Sequence, residues 1–417
     1  MTPTRVVAVS TLAIGLGSIP GFLFGFLAPV LQQDLDLTRW QIGVLVGAFF
    51  GATGLGSAAG GRLAERLGPR RSVVLNLLMT AAALMLPVLI PTYAALLAAA
   101  VVGGLGYALS NAGTNLAVAS VLSTSRHGIA LAVKTAGVPA FVAVNSLVSA
   151  GLAERVGWQP VLAGAVPLML AGAGLAALVL PGAAPSRGSP PAAAAAAAAA
   201  GAVALPAGFL WFPLAAFLLV AGSQALFSWT VPYLNEAGGV PLAGAGALTA
   251  SGSIVGVVVM ITVAWRSDRA AGPTRLPAVV ALCLATAAGH VLLLAGLAGG
   301  PAVMTAGLVL GTAAQLAAIS LMHAAVVAAA PAHVGRATGV TMSGYYLGAL
   351  VGAPLFGLAV DLTGSYLPGW GLCLALVVGA AACFWRCRLV GPATTASART
   401  ASARGRHADG SAAVPPG

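Results

Sequence analysis

The only lysine of this chain, Lys134, lies in a long apolar stretch, where a charged group is unusual. No acidic or basic residue follows it from position 135 to position 153. An ammonium group in a low-dielectric environment attracts an anion or pairs with a backbone carbonyl. On a helix, Lys134 shares one face with Val138, Phe141 and Asn145, which follow it at helical spacing. The alternative is that its long stem lets the ammonium reach a polar surface.

Two histidines and one carboxylate in apolar stretches are the next candidates. His323 shares a helical stripe with Gln315 and Ile319. Imidazole titrates near neutral pH, so His323 is a candidate for binding and releasing a proton. A buried, hydrogen-bonded structural role is the favoured alternative for His323, and more strongly so for His290. Asp361 lies at the end of an apolar stretch and is interpreted as a helix-end residue.

Several other kinds of site are excluded by what the chain lacks. A phosphate-binding G-x-x-x-x-G-K loop needs a glycine before its lysine, and Lys134 follows Val133. No histidine box, metal-binding cluster or pair of carboxylates occurs in the apolar stretches, so we expect no metal, no cofactor and no enzymatic activity. No Cys-x-x-Cys pair occurs, so the cysteines are expected to be reduced packing residues. They are Cys283, Cys373, Cys383 and Cys387.

The elements that position these residues are predicted to be membrane helices. Of the 417 residues, 59% are hydrophobic and only 6% are charged, whereas a soluble domain has roughly 25% charged residues. The charge-free stretches can each hold helices of about 20 residues, and their unbroken apolar character argues against barrel strands. The first stretch is too long for the core of a signal peptide. The predicted spans are residues 6–31, 41–61, 72–90, 93–122, 128–150, 160–180, 209–231, 241–264, 277–298, 302–330, 337–360 and 370–390.

The chain is predicted to hold two six-helix bundles, residues 1–181 and 209–391. Residues 182–208 between them are rich in Pro and Ala and are interpreted as a linker. Residues 392–417 are predicted to be a disordered tail. Sixteen of the 19 basic residues lie on one side if the N-terminus is cytoplasmic, so both termini and the linker are predicted to be cytoplasmic, in the plasma or inner membrane. The net charge of +11 thus reports topology and attraction to lipid headgroups rather than nucleic-acid binding.

The two halves resemble each other, and one loop resembles a known family. Glu65 and Asp268, like Glu154 and Asp361, occupy corresponding positions about 203 to 207 residues apart, which indicates an internal repeat. The segment Gly61-Arg-Leu-Ala-Glu-Arg-Leu-Gly-Pro-Arg-Arg71 resembles the loop between helices two and three of bacterial major facilitator superfamily transporters, although Glu65 stands where Asp is usual. Residues 264–275 form a degenerate second copy, and residues 126–139 resemble the opening of helix five. The resemblance covers residues 6–390.

The resemblance implies twelve transmembrane helices in two bundles with pseudo-two-fold symmetry around a central cavity. It also implies a monomer in the lipid bilayer that transports a small-molecule substrate by alternating access, with a proton or ion as a coupling partner. The loop residues would form a conformational latch: Gly61, Glu65, Arg66, Gly68, Arg70, Arg71, Asp268 and Arg269. Spans one, four, seven and ten face the pathway in this family. With Lys134 and Asn145 of span five, they supply the substrate-binding candidates Tyr107, Asn111, Asn115, Gln224, Trp229, Gln315, Phe22 and Phe26.

Glycines four residues apart predict close helix packing. Gly43, Gly47 and Gly51 form such a row on span two, and Gly344, Gly348 and Gly352 form one on span eleven. Gly252 and Gly256 repeat the spacing on span eight. The resemblance implies that these helices form the moving contact between the halves, and static packing is the alternative.

The favoured function is secondary transport of a small organic anion or polar metabolite, with Lys134 as the attracting cation. Export of an apolar, drug-like compound is the first alternative, suggested by Phe22, Phe26 and Trp229. A proton-driven drug antiporter usually has an arginine in span four, where this chain has Ala100, which weakens that version of the alternative. A non-transporting membrane sensor or scaffold is the alternative of another class, and a collapsed cavity would favour it.

Overall fold

The computed structural model of this protein describes residues 2–122, 127–182, 205–206, 208–269 and 275–388, which are helical apart from short connections. The predicted tail and most of the predicted linker, including Arg187, lie outside these residues. The helices are α1 (Pro3–Phe26), α2 (Ala28–Leu35), α3 (Arg39–Leu89), α4 (Tyr93–Val121), α5 (His127–Val156), α6 (Trp158–Val179), α7 (Trp211–Ser223), α8 (Ala225–Ser228), α9 (Thr230–Glu236), α10 (Leu242–Arg269), α11 (Leu276–Gly299), α12 (Pro301–Ala329), α13 (Val334–Thr363) and α14 (Tyr366–Cys387). Among the described residues, 11 helical segments are long and apolar enough to span a membrane.

Helix α3 accounts for two crossings. As one straight helix its 51 residues would extend about 76 Å, more than twice the roughly 30 Å hydrocarbon core. Gly68 interrupts it with a φ of 79°, which glycine adopts without steric cost. On α4, Gly104 lies against Phe49 and Gly106 lies against Asn76. Two α4 residues so close together can contact both parts of α3 only if α3 folds back at Gly68. The described residues therefore contain twelve crossings.

Within each half the crossings alternate in direction because short connections join them, and the contacts of Arg39 with Glu236 and Asp361 bring the corresponding ends of the two halves together. We call the end of the molecule where α1 begins and α14 ends the terminal face, and the other end the opposite face. Even-numbered crossings run from the opposite face to the terminal face. This convention places each lining residue relative to the two membrane surfaces.

Two predicted spans are interrupted, each near a proline. The first predicted span, 6–31, is broken at Leu27, after which α2 forms a separate helix with Pro29 in its first turn. The seventh predicted span, 209–231, consists of α7, α8 and α9, with Gln224 and Trp229 between them. Pro232, in the first turn of α9, has no N–H to donate to a carbonyl one turn earlier. The first break lies near the opposite face, and the two breaks of the seventh crossing lie within that crossing.

The row of glycines on α3 lies at the contact between the halves. Gly43 lies against Ala353 and Pro354 of α13, and Gly47 lies against Leu350. An added Cβ at Gly47 would collide with the Leu350 backbone carbonyl. Glycine therefore allows α3 and α13 to approach closely, as its spacing predicted.

The glycine row on α13 packs against α7. Gly344 and Gly348 lie against the carbonyls of Pro213 and Phe217 on α7, in the same half of the molecule. Gly252 and Gly256 similarly face α12. Helices α10 and α13 nevertheless contact the first half, as expected of them, at positions other than these glycine rows. On α10, it is Gly246 that lies against Ser146 of α5.

Candidate functional site

A cavity of about 420 Å³ lies between the two halves of the molecule. Helices α1, α3, α4 and α5 line it from the first half, and the broken seventh crossing, α10, α12 and α13 line it from the second. On α5, which begins at the terminal face, the lining runs from Leu131 to Val142. On α12, which ends there, it runs from Gln315 to His323. The cavity therefore lies in the part of the membrane nearer the terminal face.

Lys134 points into this cavity and is only 3% exposed. Its Nζ donates hydrogen bonds to Oδ1 of Asn111 at 2.8 Å and to Oδ1 of Asn115 at 2.9 Å. Because α4 holds the ammonium inside the protein, the side chain does not extend to the membrane surface. Among the described residues that line the cavity, none is acidic. The cation thus has dipolar partners but no carboxylate partner in the described lining, and it keeps its attraction for an anion.

Asn111, which holds Lys134, lines the cavity between the two halves of the molecule. Tyr346 of α13 lines the same cavity as Asn111. Tyr107, one turn before Asn111, packs its ring 5.6 Å from that of Phe49. The side chains that hold Lys134 therefore lie on the same cavity as residues of α13.

Two glutamines on the second half line the cavity with unpaired atoms. Gln224 lies at the break between α7 and α8 and is 6% exposed, and Gln315 on α12 is 4% exposed. The Gln224 Nε2 and the Gln315 Oε1 have no hydrogen-bond partner among the described residues. The backbone carbonyl of Gln224 is satisfied, since it accepts from Phe227 N at 3.1 Å. The break is thus satisfied without the side-chain amide of Gln224, a residue of the cavity lining.

His323 lines the same cavity through α12 and α13. Its Nδ1 lies 2.8 Å from the Ile319 carbonyl oxygen, which requires a proton on Nδ1. Its Nε2 faces Met342 Sδ at 3.3 Å, a weak partner. The ring can therefore gain a proton at Nε2 without breaking the Nδ1 hydrogen bond. His290, in contrast, is fully buried away from the cavity and bonds to Thr286 O at 2.8 Å, as expected of a structural histidine.

Two predicted binding residues of the first half lie behind the cavity lining. Asn115 supports Lys134 without itself lining the cavity. Asn145 is buried, accepts a hydrogen bond from Ser149 at 2.7 Å and donates to Ile19 O at 3.5 Å. Its position at i+11 from Lys134 is nearly 17 Å along a helix at about 1.5 Å per residue, which carries it past the cavity. Asn145 therefore joins α5 to α1.

Two predicted aromatic residues are also packed away from the cavity. Trp229 is fully buried, donates from Nε1 to Ala353 O at 3.1 Å and stacks on Phe356 at 5.7 Å. Phe26 is fully buried at the end of α1. Phe22, one turn earlier, does line the cavity. Its ring centroid lies 6.0 Å from that of Phe227. Both displaced residues lie nearer the opposite face, beyond the end of the cavity.

A cluster of charges joins the two halves at the opposite face. Arg39, at the start of α3, pairs with Glu236 at 2.5 Å and with Asp361 at 3.7 Å. Asp361 also accepts the backbone N–H groups of Arg39 at 3.1 Å and Trp40 at 2.7 Å. These N–H groups have no partner within α3, and the positive end of the helix dipole favours a carboxylate there. Tyr366 donates to Glu236 at 3.0 Å, which completes a contact that closes this face.

The sequence did not predict this cluster, although Asp361 was interpreted as a helix-end residue. The available signal was that Arg39, Glu236 and Asp361 are among the few charged residues predicted on the opposite face. They are separated by up to 322 positions in the chain. Nothing in the local periodicity of any helix pairs them.

The predicted latch is not assembled at the terminal face. Glu65 and Arg66 are exposed, and the described residues provide Glu65 with no ion-pair partner. Arg70 donates from Nε to Leu180 O at 2.8 Å within the first half. Arg269 stacks on Trp265 at 3.7 Å. The side chain of Asp268 and all of Arg126 lie outside the part of the chain that the structure describes.

The remaining latch candidates have simple local surroundings. Gly68 forms the turn inside α3, Arg71 is exposed, and a Cβ at Gly61 would meet open space. The latch therefore remains a prediction for another conformation. In this conformation, Arg39, Glu236 and Asp361 join the halves at the opposite face, while the described residues at the terminal face provide no ion pair for Glu65.

These features define a helical membrane protein with twelve crossings in two halves around a central cavity that is closed at one face. The chain belongs to the Major Facilitator Superfamily, whose family model matches residues 9–316. The family and the fold class predicted from the loop motif and the repeat are thereby confirmed.

Solved structures with the same fold include two transporters. A bacterial homologue of the human lysosomal transporter Spinster, solved inward-facing in unoccupied and occupied forms, is 16% identical with a TM-score of 0.73, over 93% of this chain and 97% of that chain. A D-xylose-proton symporter is 13% identical with a TM-score of 0.75, over 92% of this chain and 98% of that chain. No curated protein sequence matches the chain. Identities this low establish the fold alone.

Proposed function

We propose that this protein is a non-enzymatic secondary transporter that moves a small organic anion with an apolar body across the plasma or inner membrane by alternating access. The observation that carries this proposal is the buried Lys134 ammonium in a cavity whose described lining has no acidic residue. Asn111 and Asn115 orient the ammonium but supply no negative charge. An anionic substrate would compensate this charge, which is strongly disfavoured near the middle of a bilayer.

The rest of the lining favours an apolar body on that anion. Phe22, Phe50 and Phe227 line the cavity together with aliphatic residues such as Ile319. A carboxylate held at Lys134 would place its hydrocarbon part against these side chains, which gain from the removal of apolar surface from water. A fully polar metabolite would offer these apolar side chains no apolar surface to contact, so an amphipathic anion fits the cavity better.

Two features support alternating access with the terminal face in the cytoplasm. The excess of arginine at the terminal face follows the positive-inside rule. The cavity lies toward that face while Arg39, Glu236 and Asp361 hold the opposite face closed. This arrangement corresponds to an inward-open conformation. In the outward-open conformation the cluster would separate, and Glu65 would pair with arginines at the terminal face.

His323 is the proposed site for a coupling proton. Its Nε2 faces the cavity side chains with only Met342 as a weak partner, so protonation there adds a positive charge on the wall across from α5. That second charge would increase the attraction for an anion. Such a carrier would move the anion and the proton in the same direction.

Two other functions receive less support. Transport of an uncharged apolar compound fits the aromatic lining but leaves Lys134 without a role. A non-transporting sensor or scaffold would need no cavity between its halves, whereas one of about 420 Å³ is present here.

The test is ligand-induced stabilisation of the purified protein by a library of organic anions, organic cations and neutral compounds. Anions should raise the thermal unfolding midpoint of wild type. Lys134→Ala should abolish that shift, and Lys134→Arg should retain part of it because the charge remains while its shape changes. Arg155→Ala removes one positive charge from an exposed site away from the cavity and serves as the matched control. Equal shifts in wild type and Lys134→Ala would contradict the anion proposal and favour apolar export.

A further inference from the structure

The second half of the cavity contains two buried polar atoms for which the described protein provides no partner. They are the Gln224 Nε2, a hydrogen-bond donor, and the Gln315 Oε1, an acceptor. Both side chains are at least nine-tenths buried and both line the cavity. Buried amide atoms are nearly always hydrogen-bonded, so an unpaired donor and an unpaired acceptor in one cavity call for a partner.

The local backbone explains why the Gln224 amide is left without a partner. Gln224 sits between α7 and α8, where its carbonyl already accepts from Phe227 N and from Ser228 Oγ, each at 3.1 Å. The helix break is therefore satisfied without the Gln224 side chain. If the two amides had a structural role, we would expect each to form a hydrogen bond with a backbone or side-chain group, as Asn145 does with Ser149.

We propose that Gln224 and Gln315 form a second subsite that binds an uncharged group of the substrate able both to accept and to donate a hydrogen bond. A hydroxyl or an amide has this property, whereas a carboxylate only accepts and an ammonium only donates. The inference rests on the proposed transport of an organic anion, whose charged group binds Lys134. It adds that the substrate has two polar ends joined by an apolar body.

The two ends of such a substrate contact different halves of the molecule. Lys134 belongs to α5 in the first half, whereas Gln224 and Gln315 belong to the second half. A substrate of sufficient length therefore bridges the halves across the aromatic lining. A simple apolar carboxylate fills only the Lys134 end and leaves both glutamine atoms unpaired.

The experiment measures binding of three matched series to the purified full-length protein by calorimetry. They are n-alkanoates, ω-hydroxyalkanoates and ω-carboxamidoalkanoates of about four to ten carbons, lengths suited to a small-molecule cavity of this size. Scanning the length removes the need to know the separation of the two subsites. At one or two adjacent lengths, the hydroxy or carboxamide acid should bind wild type about tenfold more tightly than its parent. Which of the two series gains identifies the group that the subsite prefers.

The variants Gln224→Met and Gln315→Met keep the side-chain length and remove the amide. Each should bring the Kd of the favoured acid close to that of its parent acid. Gln159→Met, outside the cavity lining, is the matched control and should keep the tenfold advantage. The unfolding midpoint without ligand adds a second readout. Loss of an unpaired amide should leave it unchanged or raise it, whereas loss of a structural hydrogen bond would lower it.

The outcomes separate the two proposals. If alkanoates bind through Lys134 and no ω-group improves binding at any length, the glutamine subsite is refuted and the anion site stands. A tenfold advantage that survives in both methionine variants also refutes the subsite. If no acid in any series binds wild type, the anion transport proposal fails and the subsite inference fails with it.

Discussion

The two faces of this protein both carry charged residues, but these residues differ in how they are paired. At the opposite face, Arg39 of the first half contacts Glu236, and Asp361 caps the start of α3. At the terminal face, Glu65 is exposed and has no ion-pair partner among the described residues. In the proposed transport cycle, we expect the contacts at the two faces to form and separate in turn. Each set can bias the equilibrium between two conformations only by its differential contacts.

The free energy by which each set of charges favours one conformation depends on the type of contact. Exposed ion pairs contribute about 0–1 kcal/mol, whereas hydrogen bonds to a charged group contribute about 1.5–3 kcal/mol. Asp361 makes two such bonds to backbone N–H groups, and the side chains of the cluster are about one-fifth to one-third exposed. The Asp361 contact should therefore dominate the closure of the opposite face, with Tyr366 making a smaller contribution.

The largest effect is expected from Asp361→Ala, which removes both backbone hydrogen bonds and one ion pair. The opposite face should open, and the cavity residue Ser18, replaced by cysteine, should react more than about tenfold faster with a membrane-impermeant thiol reagent added at that face. The four native cysteines are buried, so the protein without Ser18→Cys gives the background. Right-side-out and inverted vesicles separate the two directions of access.

Glu154→Ala is the matched control for that variant. Glu154 corresponds to Asp361 in the internal repeat, yet it is exposed and the described residues provide no ion pair for it. Its loss should leave the labelling rate unchanged. Equal labelling in Asp361→Ala and Glu154→Ala would mean that the opposite face is closed by packing alone.

Glu65→Gln should have an intermediate effect in the reverse direction. If Glu65 pairs with arginines when the terminal face closes, the neutral amide weakens that state by about 1 kcal/mol. The same cysteine at position 18 should then react about threefold to fivefold more slowly from the opposite face. Transport by reconstituted vesicles should slow while insertion into the membrane is retained.

Arg71→Gln is an informative companion, since Arg71 is also a predicted latch residue and is exposed here. Both variants should change labelling in the same direction. If Glu65→Gln labels and transports at wild-type rates, the latch prediction is contradicted. Of the two proposed charged contacts, only the cluster at the opposite face would then act as a gate.

Features that depend on neighbouring residues in the chain were predictable from the sequence, whereas features that depend on distant partners were not. The spans follow from hydropathy, because twenty apolar residues in a row report on the bilayer alone. The spacing of Gly43, Gly47 and Gly51 correctly predicts a close helix contact. The same spacing at Gly344 does not specify whether the partner is α3 or α7, since any helix can approach a glycine row.

The site was less predictable, because its properties depend on breaks and on distant partners. Lys134 stands out as a single charge in an apolar stretch, and the structure places it in the cavity. Trp229 was assigned to the pathway because it lies beside Gln224 and Ser228 on the seventh span, but at the break between α8 and α9 its Nε1 donates to Ala353 O of α13. The Gln224 amide lies at the preceding break, between α7 and α8, and no residue pattern reports that it is unpaired.

The smallest effect is expected from Tyr366→Phe, which removes only the hydroxyl that donates to Glu236. The ring should stay in place because it packs 5.2 Å from Tyr233 and 6.1 Å from Phe356. Loss of one hydrogen bond to a partly exposed carboxylate should weaken the closed face by about 0.5–1 kcal/mol. Labelling of the cysteine at position 18 from the opposite face should rise about twofold to fivefold, less than in Asp361→Ala.

A double-mutant cycle with Glu236→Gln decides whether this small effect belongs to the cluster. If the hydroxyl acts through Glu236, the double variant should label no faster than Glu236→Gln alone, because the shared contact is already weakened. If the two changes multiply, Tyr366 acts through its packing on α9 and α13, independently of the charges. Thr363→Ala, an exposed change on α13 near the cluster, controls for nonspecific loosening of that helix end. A rise in Thr363→Ala equal to that in Tyr366→Phe would remove Tyr366 from the gate and leave Arg39, Glu236 and Asp361 to hold the opposite face.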